Sequence, residues 1–280
     1  MAWERLSVRR GRASAEALVE GIPDYLAYPL TEWLRTEFGW HRPSSQGGVD
    51  QEFLRRLATN TRIPVAATSA IGGISTQITD AIQRNSDLFL DVLDATLYLR
   101  GRRANAQDLR QLLEMGASAW TVSADGTALQ RRVNDAAAGA YESAITSEDV
   151  VSGELADAWS AAFGRHPDPS DAWDHAIKAV EELLIPMVLP NKPKANLGGV
   201  AGELGGPASH KWKLTPSTSS EKVDDGKTLE AMLRLIWPNP DRHGGGVDRR
   251  APTQPEAERV VHLSVAIIEL CRAGGLSKLT

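Results

Sequence analysis

Apolar residues recur at three- and four-residue spacing through most of the chain, the period of a helix with one buried face, while strict alternation is scarce. Leu26, Leu30, Trp33, Leu34 and Phe38 predict one helix face over residues 25–38. Gly39 and the Pro43–Gly48 stretch then break the chain, and Asp50 suits the cap of a helix carrying Phe53, Leu54 and Leu57. Residues 62–73 read as a loop or short helix. Ile78, Ile82, Leu88, Phe89, Val92, Leu93 and Leu97 then predict a single long buried helix over 76–99. It closes on Arg100-Gly-Arg-Arg103, basic residues suited to the negative end of the macrodipole.

A short helix is predicted over 105–115, and Ala117–Val122 is the best strand candidate, with Ala124-Asp-Gly126 as the turn after it. Helices follow over 129–144 and 147–163, the second with Ser147 as its cap. The next begins near Ser170 as N-cap, carries the stripe Trp173, Ile177, Val180 and Leu184, and is terminated by Pro186 and Pro190. Residues 190–227 form a long connection rich in Gly, Pro, Ser and Lys, with one helical turn over 195–204. Two more helices are predicted over 228–237 and 255–273, the last stopped by Gly274-Gly275. The expectation is a mostly α protein: a helical N-terminal region over 1–145 and a C-terminal helical domain over 146–280 with a long loop at 190–227.

Composition narrows the function classes. The chain has 280 residues, 42% of them hydrophobic and 24% charged, values ordinary for a globular protein. A net charge of -5 argues against a protein that coats nucleic acid non-specifically, but leaves room for a local basic patch. The one cysteine, Cys271, lies in an apolar run and reads as a small buried hydrophobe. No cluster has the spacing of zinc ligands, no carboxylates are paired as in metal sites, and no cofactor is expected. No apolar run approaches the roughly 20 residues that span a bilayer, and the N-terminus lacks the pattern of a secretory leader, so a cytoplasmic location without membrane contact is expected.

Candidate chemistry is sparse. Asp225-Gly-Lys-Thr228 has the second half of a phosphate-binding loop, but Glu221 stands where that loop needs its first glycine, so a helix start is expected. Leu197–Gly206 is glycine-rich without the strand that a nucleotide fingerprint follows, and reads as flexible loop or close helix packing. Lys192, Lys194, Lys211 and Lys213, with His210 and Trp212 among them, form a basic cluster. Its lysines could meet phosphates and its indole could stack on a base; the alternative is a solvated loop. His262 falls four residues after Glu258 on a polar stripe, and His175 lies within a helix; both read as surface or capping histidines.

His243 has a different setting. It lies in Pro238-Asn-Pro-Asp-Arg-His-Gly-Gly-Gly246, between two predicted core helices, with Arg242 beside it and Arg234 on the preceding helix. An imidazole suits proton transfer near neutral pH, and an arginine suits a phosphate that gains charge in the transition state. The alternative is a structural turn in which either side chain bonds loop carbonyls.

The block from Trp159 to about Leu270 resembles the C-terminal region of abortive-infection-type and uncharacterised actinobacterial proteins, a HEPN-like helical domain. The segments that carry the likeness are Asp168–Trp173, Ala176–Glu182, Val188–Ala195, Met232–Trp237, Asp241–Gly245 and Glu256–His262. The resemblance implies a metal-independent endoribonuclease or RNA-binding protein of antiphage defence or growth arrest, acting as a homodimer through its C-terminal helices. It implies His243 as proton-transfer group and Arg242 or Arg234 as the phosphate-binding group. It equally allows a catalytically inert module that binds a regulatory protein partner.

Overall fold

The computed structural model describes residues 10, 18–39, 49–66, 73–192, 194–216, 223–240 and 250–279. The architecture is mostly α, with eleven α-helices and two small two-stranded sheets among these residues. The chain divides into two compact units, Met1–Arg132 and Val133–Thr280, each with its own apolar core.

In the first unit, α1 (Asp24–Glu37), α2 (Gln51–Asn60), α3 (Gly73–Ile82), α4 (Ser86–Arg100) and α5 (Ala106–Met115) precede a hairpin of β1 (Trp120–Val122) and β2 (Leu129–Arg131). The predicted single helix over 76–99 is two helices. Asn85 interrupts it because its side chain accepts the Asp87 and Leu88 amides at 3.0 and 3.1 Å, satisfying first-turn donors that an unbroken helix would have bonded internally. The apolar period runs on across the break because Ile82 and Phe89 enter the same core. Strand β1 falls within the expected segment. Its partner β2 occupies residues expected to open a helix: Leu129 donates its amide to Asp94 Oδ1 at 2.7 Å, and the antiparallel register pairs Val122 with Leu129 and Trp120 with Arg131.

The second unit comprises α6 (Asp135–Ala144), α7 (Val150–Phe163), α8 (Pro169–Val188), α9 (Leu197–Leu204), β3 (Trp212–Leu214), α10 (Asp225–Ile236), α11 (Gln254–Cys271) and β4 (Leu276–Lys278). Helix α6, expected with the N-terminal region, belongs here: Tyr141 and Ala144 join the core of this unit, and Tyr141 stacks on Trp159 with centroids 4.1 Å apart. Ala158, Ala162, Ala172, Ala176 and Ala179 are all fully buried, and these small side chains let α7, α8 and α11 approach closely. The true caps are carboxylates rather than the expected serines, one two residues after Ser147 and the other two residues before Ser170. Asp149 accepts from Ser152 N, and Asp168 accepts from Ser170 N and Asp171 N with Pro169 in the first turn. Helix α8 also continues past Pro186 to Val188 rather than stopping there.

Within the long connection expected at 190–227, apolar residues spaced for one helix face build a helix. Leu197, Val200, Ala201 and Leu204 are completely buried and make α9. Strand β3 pairs antiparallel with β4, joining Trp212 to Lys278 and Leu214 to Leu276.

Asp225-Gly-Lys-Thr228 is the first turn of α10, capped by Asp224, whose side chain accepts from Lys227 N at 3.1 Å. Gly226 is there because of crowding: a Cβ would stand 2.6 Å from the Ser209 carbonyl oxygen and 2.8 Å from that of Leu204. Both are backbone atoms that cannot swing aside. Gly226→Ala is therefore expected to destabilise the protein by about 1–3 kcal/mol through overpacking, despite the better helix propensity of alanine. Urea unfolding followed by circular dichroism measures it, and an unchanged or raised midpoint would contradict the packing argument.

Candidate functional site

One end of the second unit gathers the C-terminus of α7, the N-terminal turns of α8, the C-terminus of α10 and the N-terminus of α11. Trp173 Nε1 donates to the Ile236 carbonyl at 2.7 Å, tying α8 to the last turn of α10. One residue on, Asp174 Oδ1 accepts from Asn239 Nδ2 at 2.7 Å. Asp174 is 6% exposed and Asn239 is 0% exposed, so this polar pair sits inside the protein. On the other side, Gln254 in the first turn of α11 donates through Nε2 to the Ala162 carbonyl of α7.

The chain entering α11 is also held. Arg250 forms a two-pronged ion pair with Glu256, at 2.7 Å from Nη1 to Oε2, while Glu256 accepts from Thr253 N at 2.9 Å in a capping box. The Arg250 hydrogen bonds, then those from Thr253, hold the Glu256 carboxyl down at about 2. The chain leaving α10 and the chain entering α11 are thus anchored at the same end of the unit, beside the α7–α8 connection. Arg242 and His243, between these anchors in sequence, lie outside the described residues.

Arg234 lies on α10, one turn before Trp237. Its Nε donates to Glu230 Oε1 at 2.7 Å, and its side chain is 56% exposed. An exposed pair of this i,i+4 kind is worth only ~0.2–0.5 kcal/mol, so it orients Arg234 weakly.

The basic cluster read from the sequence is interrupted along the chain by a helix: Lys192 and Lys194 precede the eight-residue α9, and Lys211 and Lys213 follow it. Lys192, Lys194, Lys211 and His210 are exposed and Lys213 is half-buried. Trp212 departs from the expectation of a base-stacking platform. It is 3% exposed because the cross-strand pairing of β3 with β4 lays Lys278 over its ring, with Nζ 4.7 Å from the centroid. Lys278 also pairs with Glu203 at 3.3 Å. This neighbour of Trp212 left no local signal, because it arrives from the far end of the chain.

The other titratable groups serve packing. His262 is half-buried against Trp159 and Phe163, with ring centroids 5.6 and 5.1 Å away, rather than on an open polar stripe. Burial holds its pKa below the ordinary 6.5, and Glu258 opposes that shift. His175 bridges α8 to α7, with Nδ1 2.6 Å from Glu154 Oε2, and faces Asp171 of its own helix at 3.6 Å from Nε2. The Cys271 thiol is fully buried, and burial pushes it up to about 12, which keeps it unreactive as expected of a small core residue. Among the described residues no group of three His, Cys, Asp or Glu side chains is arranged to hold a metal ion, and no helix is long and apolar enough to cross a membrane.

No family model matches the sequence, and no curated protein or solved structure matches it. By its own fold it is a mostly α protein of two helical units, with the buried polar pair Asp174–Asn239 at the α10 exit of the second.

Proposed function

We propose that this protein is a HEPN-like helical protein that cleaves or binds RNA in antiphage defence or growth arrest. The observation that supports the reading is the anchoring of both flanks of the Arg242–His243 stretch at one end of the second unit, through Asn239 to α8 and through Gln254 to α7. A reacting imidazole needs a fixed base, and the described ends of the connection that carries His243 are each bonded to a helix of the second unit. In the catalytic form of this reading, His243 takes the proton of an RNA 2′-hydroxyl as its oxygen attacks the adjacent phosphorus. The 5′-oxygen of the next nucleotide leaves and takes up a proton, and a 2′,3′-cyclic phosphate remains. Arg242 or Arg234 steadies the phosphate oxygens. Lys192, Lys194, Lys211 and Lys213 extend the contact to neighbouring phosphates, without Trp212.

The experiment is incubation of the purified protein and His243→Ala with total RNA in EDTA. Wild type is expected to fragment RNA, and the variant to lose at least 100-fold in rate, the scale of general acid–base catalysis. Equal degradation by both, or none by either, removes the nuclease reading.

A second reading, an inert helical module that binds a regulatory protein partner, is favoured by one observation: Arg234 already spends its Nε on Glu230. Under it, no RNA is cut and the partner is retained by His243→Ala.

A further inference from the structure

The turn from α5 into β1, in the first unit, is held from two sides. Gly116 packs so closely on α1 that a Cβ there would stand 2.6 and 2.8 Å from the two methyl groups of Leu26. Ala117 follows with φ at 50°, in the left-handed region that a side chain disfavours. The segment ahead of α1 pins this conformation. Val19 N donates to the Ala117 carbonyl at 2.9 Å, and Ala119 N donates to the Val19 carbonyl at 2.8 Å. From α1 itself, the Tyr25 hydroxyl donates to the Gly116 carbonyl at 3.0 Å.

Around this fixed backbone, large apolar side chains face water. Met115, beside Gly116, is 77% exposed, and both Tyr25 and Leu18, the neighbour of Val19, are exposed as well. Tyr28 lies three residues from Tyr25 on the same face of α1 and is 71% exposed. Apolar residues exposed singly need no explanation, whereas four gathered around one turn mark a contact surface. Tyrosine and methionine are also the side chains that interfaces favour. The rim is acidic. Asp24 adjoins Tyr25 and Glu114 adjoins Met115; both are exposed, and neither makes an ion pair among the described residues. Glu20, on the other side of Val19, is already paired with Arg131.

We propose that this turn is the docking surface for an arginine-bearing apolar segment of another protein. A leucine-like side chain fits among Met115, Leu18 and the tyrosine rings. A guanidinium beside it is served twice, by the ring faces through cation–π attraction and by Asp24 and Glu114 through charge-assisted hydrogen bonds. The same two carboxylates repel phosphate, which sets the surface apart from a contact for RNA or anionic lipid. A second copy docked through this face would bring like charges together, because a two-fold contact sets each patch against itself. The turn is already held in shape, so little ordering cost offsets the contact. The proposal stands whether or not the protein cleaves RNA.

The test uses the full chain and a fluorescein-labelled peptide that carries a leucine between two arginines. Fluorescence anisotropy is expected to show saturable binding to wild type, and Met115→Ser and Tyr28→Ser each to weaken it at least fivefold. Tyr98→Ser, which removes an exposed tyrosine on α4, is expected to bind within twofold of wild type. Reversing the rim with Asp24→Lys and Glu114→Lys together is expected to abolish binding of this peptide and to admit its counterpart with glutamates in place of the arginines. The substituted side chains are all exposed, so urea midpoints near that of wild type are expected and separate a lost surface from a lost fold. No saturable binding by wild type at millimolar peptide, or binding unchanged in both Met115→Ser and Tyr28→Ser, overturns the proposal. So does a wild-type dimer in sedimentation that Met115→Ser converts to monomer, since the occupant is then a second copy.

Discussion

Arg100→Ala is expected to destabilise the first unit by about 3–5 kcal/mol, the cost of stripping one partner from a buried ion pair. Arg100 closes α4, and its side chain is only 8% exposed. Its Nη1 donates to Asp50 Oδ2 at 3.0 Å, and its Nη2 donates to the carbonyls of Glu37 and Gly39. The guanidinium carbon also lies 3.7 Å from the centre of the Phe53 ring. One side chain thus joins the end of α1, the cap of α2 and the end of α4. Without it, the Asp50 carboxylate loses its counter-charge, and two carbonyls lose their donor, at a site with little access to water. Arg100→Lys is expected to recover less than half of the loss, because an ammonium cannot reproduce the planar fork that serves three acceptors and covers a ring. Native-state hydrogen exchange of the α2 and α4 amides, with urea unfolding of the whole chain, measures both variants. An Arg100→Lys protein as stable as wild type would show that charge alone, not the fork, is what the site uses.

Trp159→Ala is expected to cost about 3–5 kcal/mol in the second unit, the range for emptying an aromatic site in a packed core. Trp159 is 1% exposed and stacks on Tyr141 of α6, with planes 11° apart. It lies 4.5 Å from Phe163 on its own helix and meets His262 of α11 edge-on at 80°. The indole therefore fills the space shared by three helices, and a methyl group leaves a cavity that none of them can close alone. Trp159→Phe is expected to cost far less. It keeps most of the volume, and the indole N–H it removes is buried with no hydrogen-bond partner among the described residues. The same cluster imposes a pH dependence. His262 is held below its ordinary pKa of 6.5 in the folded state, so the unfolded chain binds its proton first as pH falls. The contribution of His262 to stability is then complete above about 6.5 and declines as pH falls toward the folded-state value. His262→Gln is expected to flatten this part of the stability profile between pH 8 and 5. A variant whose midpoint falls with pH as steeply as wild type would remove His262 as its source.

How much of this was legible beforehand depends on how far apart the contributing residues lie. Asp50 as a cap, the stripe of α8 and the burial of Cys271 follow from neighbours within one or two turns. The same local reasoning placed Arg100 at a helix end as a partner for the macrodipole. In the fold it reaches instead to Asp50, a residue that no local pattern links to it. The basic cluster was equally local in appearance, yet α9 divides it and β4 covers its tryptophan. In the candidate site, His243 and its arginines stood out because proton transfer and phosphate binding call for those residue types. Asp174 and Asn239 did not stand out, since an aspartate in an amphipathic helix and an asparagine between prolines both look solvated until burial is known.

By itself, then, the sequence determined that this is a mostly α protein, where most of its helices run, and which loop carries residue types suited to phosphate chemistry. Helical period and capping act over three or four residues, so the chain displays them in order. Only the tertiary structure decided that α6 belongs to the second unit, that Trp212 is covered and Arg100 buried, and that the α10 exit is gripped by a carboxylate from α8. Burial and charge pairing depend on which surfaces meet, and residues 65 or more positions apart, such as Asp174 and Asn239, meet only when the helices pack.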